Sequence, residues 1–420
     1  METYTDKTSN TVDQKDLKQL FSIPVIVAAL GYFVDIYDLL LFSIVRIPSL
    51  TSMGVATPAD LQTQGEYLIS FQMAGLLTGG IIWGIMGDKR GRLSVLFGSI
   101  LLYSLANIAN GFATNVEQYR WLRFIAGIGL AGELGAGVTL VSETLPTHLR
   151  GYGTTIIASV GLMGAVVGNF LSKAFAWQTS FFIGGAMGLL LLIARVSVFE
   201  SGIFLKTKTM QIQRGNFWQL FTNRSRFLKY MGCIFIGLPI WFAIGILITF
   251  SPEFARTLGI EGTISAGDAV MYSYIGLAVG DMASGSISQW VGSRKKIVMV
   301  FILLTLAFFG LYLFMPVHTT TFFYFTCFLL GVGIGYWALF VTIAAEQFGT
   351  NLRSTVATTV PNFIRGTVIP LAMIFNYLRG QVGPIHGALI IGVTTIIIAF
   401  IALGAIDETF GRDMNFEEID

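Results

Sequence analysis

Charge is what this chain has least of. Only 12% of its 420 residues are Asp, Glu, Lys or Arg, against about 25% in a typical soluble domain. Mean hydropathy is +0.71, so the polar surface needed to face water on all sides is missing. The net charge of +2 gives no footing for a nucleic-acid binder. Cysteine is nearly absent too. Cys233 and Cys327 both sit inside apolar runs, which argues against a disulfide or a metal site. The three histidines, His148, His318 and His386, fall in or beside loops. A membrane acyltransferase would need a histidine or cysteine in a pocket as base or nucleophile, so that class is disfavoured, and nothing calls for a cofactor. The first 20 residues lack the charged start and short apolar core of a signal peptide.

What the chain has instead is long apolar sequence. Windows of about 19 residues mark twelve spans, near 21–46, 66–86, 93–112, 119–140, 153–175, 180–199, 228–250, 269–291, 297–315, 322–345, 355–378 and 387–407. A run of about 20 residues crosses a hydrocarbon core of roughly 30 Å at 1.5 Å per residue. The expected class is an all-α polytopic membrane protein. A tail at 1–20 precedes a six-helix bundle at 21–199. A linker at 200–227 leads to a second six-helix bundle at 228–406 and a tail at 407–420.

Loop charge orients the spans. The even-numbered connections and the tails carry Lys18, Lys89, Arg90, Arg92, Arg150, Lys206, Arg294, Lys295, Lys296 and Arg353, among others. The odd-numbered connections hold Lys173, Arg256, Arg379 and little else. Cations accumulate on the cytoplasmic side, so both termini are expected there, in a plasma (bacterial inner) membrane.

Two motifs recur. Gly84-Ile-Met-Gly-Asp88-Lys89-Arg90-Gly91-Arg92 is a short basic hinge between the second and third spans, echoed by Gly285 to Lys295 with Gln289 in place of the acid. Glu143-Thr-Leu-Pro-Thr-His-Leu-Arg150 is echoed by Glu346-Gln-Phe-Gly-Thr-Asn-Leu-Arg353. Both pairs are offset by roughly 200 residues, which predicts parallel repeats with a binding site between them near the bilayer midplane. The hinge pattern G-x-x-x-D-K-x-G-R resembles the signature loop of the major facilitator superfamily. Glu200-Ser201 and Glu408-Thr-Phe-Gly-Arg412 resemble segments that end each half in sugar porters, metabolite–proton symporters and organic ion transporters, although the preceding proline is replaced by Phe199 and Asp407. Gly31-Tyr-Phe-Val-Asp35-Ile-Tyr-Asp38 and Gly132-Glu133-Leu-Gly135-Ala-Gly137 look most like the metabolite–proton symporters. The resemblance implies two bundles related by a pseudo-two-fold axis, alternating access, and a cytoplasmic gate. That gate would comprise Gly84, Asp88, Gly91, Arg92, Glu143, Arg150 and Glu200 in the first half. In the second it would comprise Arg294, Glu346, Arg353 and Glu408. Ion pairs at a wet interface break cheaply, which suits a switch.

Ionisable residues inside spans need a reason, since each costs roughly 2.5–3.5 kcal/mol at a span's centre on insertion scales. Asp35 and Asp38 share a face of the first span, and Glu133 lies near the middle of the fourth with Arg123 nearer the outside. Two carboxylates close together disfavour double ionisation, so Asp35 with Glu133 is expected to hold a proton, and Arg123 to reach Asp38. An acid on the first helix with an arginine on the fourth also resembles the coupling arrangement of proton-driven sugar porters. Holding helices together is the alternative role for all four. In the second half Asp281, Asn362 and Arg365 stand out, Arg365 following Pro361, which is expected to bend its helix. Arg365 reads as a substrate-carboxylate ligand and Asp281 equally well as a packing partner. Tyr32, Tyr37, Trp241, Tyr336 and Trp337 neighbour these positions and are cavity candidates, with core filling the plainer role for any one of them.

The expected function is proton-coupled symport of a small zwitterion or cation such as an amino acid, because the acids outnumber the arginines. The alternative is symport of an organic anion, a mono- or dicarboxylate. The fifth span has no proline and so lacks the kink of antiporters in the superfamily. The expected partners are a small-molecule substrate, protons and the bilayer, with the protein acting as a monomer.

Overall fold

The computed structural model describes residues 14–90, 92–133, 145, 149–200 and 217–411. Twelve spans account for almost all of these residues. Spans 1 to 6 contain Ile23–Ser52, Pro58–Arg90, Arg92–Gly111, Val116–Leu130, Arg150–Ala174 and Trp177–Glu200. Span 7 runs in three pieces, Arg224–Ile236, Leu238–Phe242 and a π-helical turn Ala243–Ile248. Spans 8 and 9 are Ala266–Val291 and Arg294–Leu313. Span 10 joins Thr320–Gly333 to Trp337–Glu346, span 11 joins Thr350–Gly366 to Val368–Val382, and span 12 is Pro384–Ala405. Among the described residues, eight of these are individually long and apolar enough to cross a membrane.

The connections are short because the ends are capped locally. Asn115, Ser265, Ser293 and Thr319 each accept a hydrogen bond from the backbone N–H three residues on, starting spans 4, 8, 9 and 10. Gly292 ends span 8 with φ +68°, a left-handed turn that a side chain would resist.

The two halves pack alike. Span 1 lies on spans 5 and 6, span 2 on span 4, and span 3 on spans 4 and 6. Correspondingly, span 7 lies on spans 11 and 12, span 8 on span 10, and span 9 on spans 10 and 12. Small residues set the closest crossings. A Cβ on Gly75 or Gly127 would strike the partner helix's backbone where spans 2 and 4 cross. Gly276 and Gly331 do the same where spans 8 and 10 cross. The halves meet along span 5 against span 8 and span 2 against span 11.

Three polar ties cross this seam at the end of the bundle remote from the termini. Arg46 Nη2 of span 1 donates to both carboxylate oxygens of Glu253, in the short helix Ser251–Thr257, at 2.7 and 2.9 Å. Asp268 of span 8 pairs with Lys173 and accepts a hydrogen bond from Asn169 at 2.8 Å, both on span 5. Glu66 of span 2 accepts from Asn376 and pairs with Arg379 at 3.3 Å, both on span 11.

Three sequence expectations change. Span 1 does not end at 46 but runs to Ser52, and span 2 begins at Pro58 rather than 66. Apolar windows stop at Arg46 and Glu66, yet both charges are buried against partners and the helices continue past them. The hinge of 84–92 is mostly helix, since span 2 reaches Arg90 and span 3 starts at Arg92. Pro361 lies inside the first helical piece of span 11, and the two pieces of that span meet at Thr367.

Candidate functional site

The second half builds its share of the site from three broken helices. Span 7 stops at Gly237, resumes for five residues with Pro239 in its first turn, and then widens into the π-helical turn. Trp241 sits on the short middle piece. Span 10 breaks at Ile334 to Tyr336, so Trp337 opens its next helix. Arg365 lies in the last turn before the break of span 11. Breaks of this kind are tolerated at membrane depth only where freed backbone groups find partners. Tyr336 supplies one, its hydroxyl donating to the Ile236 carbonyl at 3.0 Å. Asp281 supplies another. Its Oδ1 accepts from the Ala338 N–H at 3.0 Å and caps the second piece of span 10. Of the two roles open to Asp281 this is the packing one.

Arg365 is 1% exposed. Its guanidinium carbon stands 5.7 Å from the Trp241 ring centre and 5.9 Å from that of Trp337. The two indoles meet edge-on at 6.3 Å. Nη1 donates a long 3.4 Å bond to Asn362 Oδ1, and the Asn362 amide donates to the Ala131 carbonyl of the first half at 2.8 Å. Nη2 lies 3.7 Å from Asp35 Oδ2. That is an ion pair without hydrogen-bond contact, and neither Asp35 oxygen nor Arg365 Nε has a hydrogen-bond partner. Tyr32 lies within electrostatic range of Arg365, Asp35 and Asp281, and Tyr274 within range of Arg365 and Asp35. The Trp241 N–H is buried and unpartnered. The arrangement is a guanidinium with donor capacity to spare, walled by flat rings, on the seam between the halves.

The first half departs from its expected pairings. Glu133 stays within electrostatic range of Asp35 but has a partner of its own. Arg195 of span 6 grips it with both nitrogens, Nη1 to Oε2 at 3.0 Å and Nη2 to Oε1. A bidentate cation compensates the carboxylate where it is buried. Gly31 leaves room for this pair, since a Cβ there would meet the ends of both side chains and make them shift. Arg195 is the residue that sequence reasoning missed; its signal was a lone cation inside the sixth apolar run. Arg123 does not bond to Asp38. Its Nε and Nη2 donate to Asn110 and Asn107 of span 3 at 2.9 and 2.8 Å, and it lies 4.7 Å from the Phe181 ring centre. Asparagine carbonyls and an aromatic face hold the cation instead. Tyr37 is fully buried, its hydroxyl donating to the Ser180 carbonyl of span 6 at 2.8 Å. Like Tyr336, it ties helices through a backbone carbonyl.

At the opposite end of the bundle, part of the expected gate is visible. Arg294 pairs with Glu346 at 2.7 Å. Glu408 accepts from Ser293 Oγ and from the N–H groups of Arg294 and Lys295, capping the start of span 9. Partial burial pushes the Glu408 carboxyl up, but these bonds and one from the Phe410 N–H outweigh it and leave it below the usual carboxylate range. Arg353 donates to the Ala345 and Phe348 carbonyls at 3.2 and 3.4 Å. Gly84 lies on the seam, where a Cβ would stand 3.6 Å from Thr359 of span 11. Gly91 and Glu143 lie outside the described residues, as do the side chains of Asp88, Arg92, Arg150 and Glu200.

Comparison with known proteins gives the family. A sequence model described as Major Facilitator Superfamily matches residues 20–366. A niacin transporter of Acinetobacter baylyi is 32% identical over 179 residues, which is 42% of this chain and 40% of that protein. A 4-hydroxybenzoate transporter of Pseudomonas putida is 33% identical over 180 residues, 40% of each. These matched stretches thus span about two fifths of each relative's length. The proton:xylose symporter XylE, solved bound to 6-bromo-6-deoxy-D-glucose, superposes with a TM-score of 0.68 at 16% identity, covering 95% of this chain and 98% of that one. Its likeness is one of fold. With paired six-helix halves, a seam carrying buried charge and a family match over most of its length, the chain belongs to the major facilitator superfamily, and is an integral membrane transporter rather than an enzyme.

Proposed function

We propose that the protein is a proton-coupled symporter of a small aromatic monocarboxylate. The observation that carries this reading is Arg365, buried between Trp241 and Trp337 and held by Asp35 only at 3.7 Å. A guanidinium binds a carboxylate through two parallel hydrogen bonds, which Asp35 does not make here. Flat indoles suit a ring attached to that carboxylate. The named substrates of the two relatives, niacin and 4-hydroxybenzoate, are both aromatic carboxylic acids.

The amino-acid reading loses its main support. It rested on an excess of acids to receive an ammonium. Glu133 is compensated by Arg195 and one oxygen of Asp281 is taken as a helix cap; Asp35 and Asp38 keep both oxygens without hydrogen-bond partners, and of these two Asp35 is the one that pairs with Arg365.

Coupling follows from exchange of partners. With the site empty, Asp35 compensates Arg365. An entering carboxylate takes the guanidinium, and Asp35, losing its cation in a low-dielectric seam, takes up a proton. The loaded seam then carries no more net charge than the empty one, and the halves rock about it. The same reading places both termini in the cytoplasm, in a bacterial inner membrane, with a monomer as the working unit.

The test is uptake of labelled nicotinate and 4-hydroxybenzoate into proteoliposomes under an imposed proton gradient. Accumulation that collapses with a protonophore is expected. Accumulation of amino acids without that of aromatic acids would restore the zwitterion reading.

A further inference from the structure

We propose that Asp281 is a specificity residue that reads the substrate's ring, its second carboxylate oxygen accepting a hydrogen bond from a hydroxyl or amino group there. The site then prefers aromatic carboxylates that carry such a donor, a preference that rests on the aromatic monocarboxylate reading above and narrows it.

The two oxygens of Asp281 have different surroundings. Oδ1 accepts from the Ala338 N–H at 3.0 Å and so caps the helix that opens with Trp337. Oδ2 is buried without a hydrogen-bond partner, on a residue only 7% exposed. The carboxylate cannot easily withdraw. Its neighbour Gly280 lies where spans 8 and 10 cross, and a Cβ on Gly335 would strike the Gly280 Cα. A buried acceptor left without a donor costs free energy, which a donor on a ligand recovers.

Asp281 faces the space that Arg365 occupies. Trp337, the residue before the capped Ala338, stands 5.9 Å from the Arg365 guanidinium. Tyr32 of the first half is in hydrogen-bond reach of Trp337 and in electrostatic range of Arg365, Asp35 and Asp281. Tyr274 precedes Asp281 by two helical turns and so shares its face of span 8, and it is in range of Tyr32, Arg365 and Asp35. A carboxylate held by Arg365 therefore has a ring wall beside it and an unpaired acceptor in the same space. The acceptor also excludes. A pyridine nitrogen is itself an acceptor, so a ring with its nitrogen turned to Oδ2 meets it lone pair to lone pair, which costs affinity.

The test is competition binding to the detergent-purified full-length protein. The probes are benzoate, the 3- and 4-hydroxybenzoates, the 3- and 4-aminobenzoates, nicotinate and isonicotinate. In the parent, the amino and hydroxy isomers substituted at one shared position are expected to bind on the order of tenfold tighter than benzoate. The pyridine isomer with its nitrogen at that position is expected to bind more weakly than benzoate. Asp281→Asn keeps an oxygen for the Ala338 N–H and turns the other acceptor into a donor. It is expected to abolish the preference for the aminobenzoate and to raise the affinity of the matching pyridine isomer above that of benzoate, a gain that loss of fold cannot produce. Equal affinities across the parent series, or a ranking that Asp281→Asn leaves unchanged, would overturn the role of Asp281 and leave the aromatic monocarboxylate reading standing. Binding of none of these probes by the parent would overturn both.

Discussion

Arg365 of the second half stands 3.7 Å from Asp35 of the first, both fully buried, and the two make no hydrogen bond. The contact is close enough to compensate charge and loose enough to be displaced. Removing either partner should therefore separate binding from coupling.

Arg365→Ala should weaken binding of an aromatic carboxylate on the order of 100-fold, within the roughly 2–5 kcal/mol expected for truncating a buried charge partner. Titration calorimetry on the detergent-purified protein reads this directly. Arg365→Lys should recover only a minor part, since an ammonium cannot make the bidentate contact.

Asp35→Asn should leave counterflow exchange of substrate running while abolishing accumulation against a gradient. Uphill uptake at the parent rate in this variant would remove Asp35 from the coupling step.

Trp241→Phe keeps a flat ring but drops the unpartnered indole N–H, and Trp241→Ala drops both. If the ring is the main contact, the alanine variant should lose about tenfold in affinity and the phenylalanine variant far less, in line with about 0.5–1.5 kcal/mol for an aromatic pair. Competition binding across ring-substituted benzoates resolves the two.

Glu133→Gln should destabilise the first half by about 3–5 kcal/mol, because Arg195 is then buried without a counter-charge. Adding Arg195→Met should restore much of the loss. Thermal unfolding in detergent, compared across the single and double variants, measures it.

Glu408 has its carboxyl held below the usual range by the cap at span 9. A depressed folded-state value means the cap's stabilisation is complete above the unfolded-state value of about 4.3. It is lost as pH falls through the lower folded-state value. Unfolding temperature should thus fall more steeply below about pH 4.3 in the parent than in Glu408→Gln, with the two curves converging at the acid end.

How much of this was legible in the sequence depended on where each charge fell. Asp35 and Arg365 stood out because an ionisable residue in mid-span is costly enough to demand a role. Arg46 and Arg195 lie near the ends of apolar runs, where an arginine normally reaches the interface, so neither drew notice. Their partners are 207 and 62 residues away, a separation that periodicity does not encode. The twelve spans and the six-plus-six repeat were readable because hydropathy and loop motifs recur along the chain. The helix breaks were not legible: the sequence marked Pro361 for a bend, and the helix is interrupted six residues later at Thr367, beside the arginine.

The breaks in spans 7, 10 and 11 give the two halves unequal work. Trp241, Trp337 and Arg365 all come from the interrupted helices of the second half, while Asp35 comes from an unbroken helix of the first. Under the proposed function, recognition of cargo and response to protons are thereby housed on separate pieces of the chain. Substitutions on the short segment Leu238–Phe242 or at the opening of Trp337–Glu346 can retune which ring is accepted without touching the residue that senses the gradient. Descendants of one such ancestor would diversify in diet while keeping a common engine.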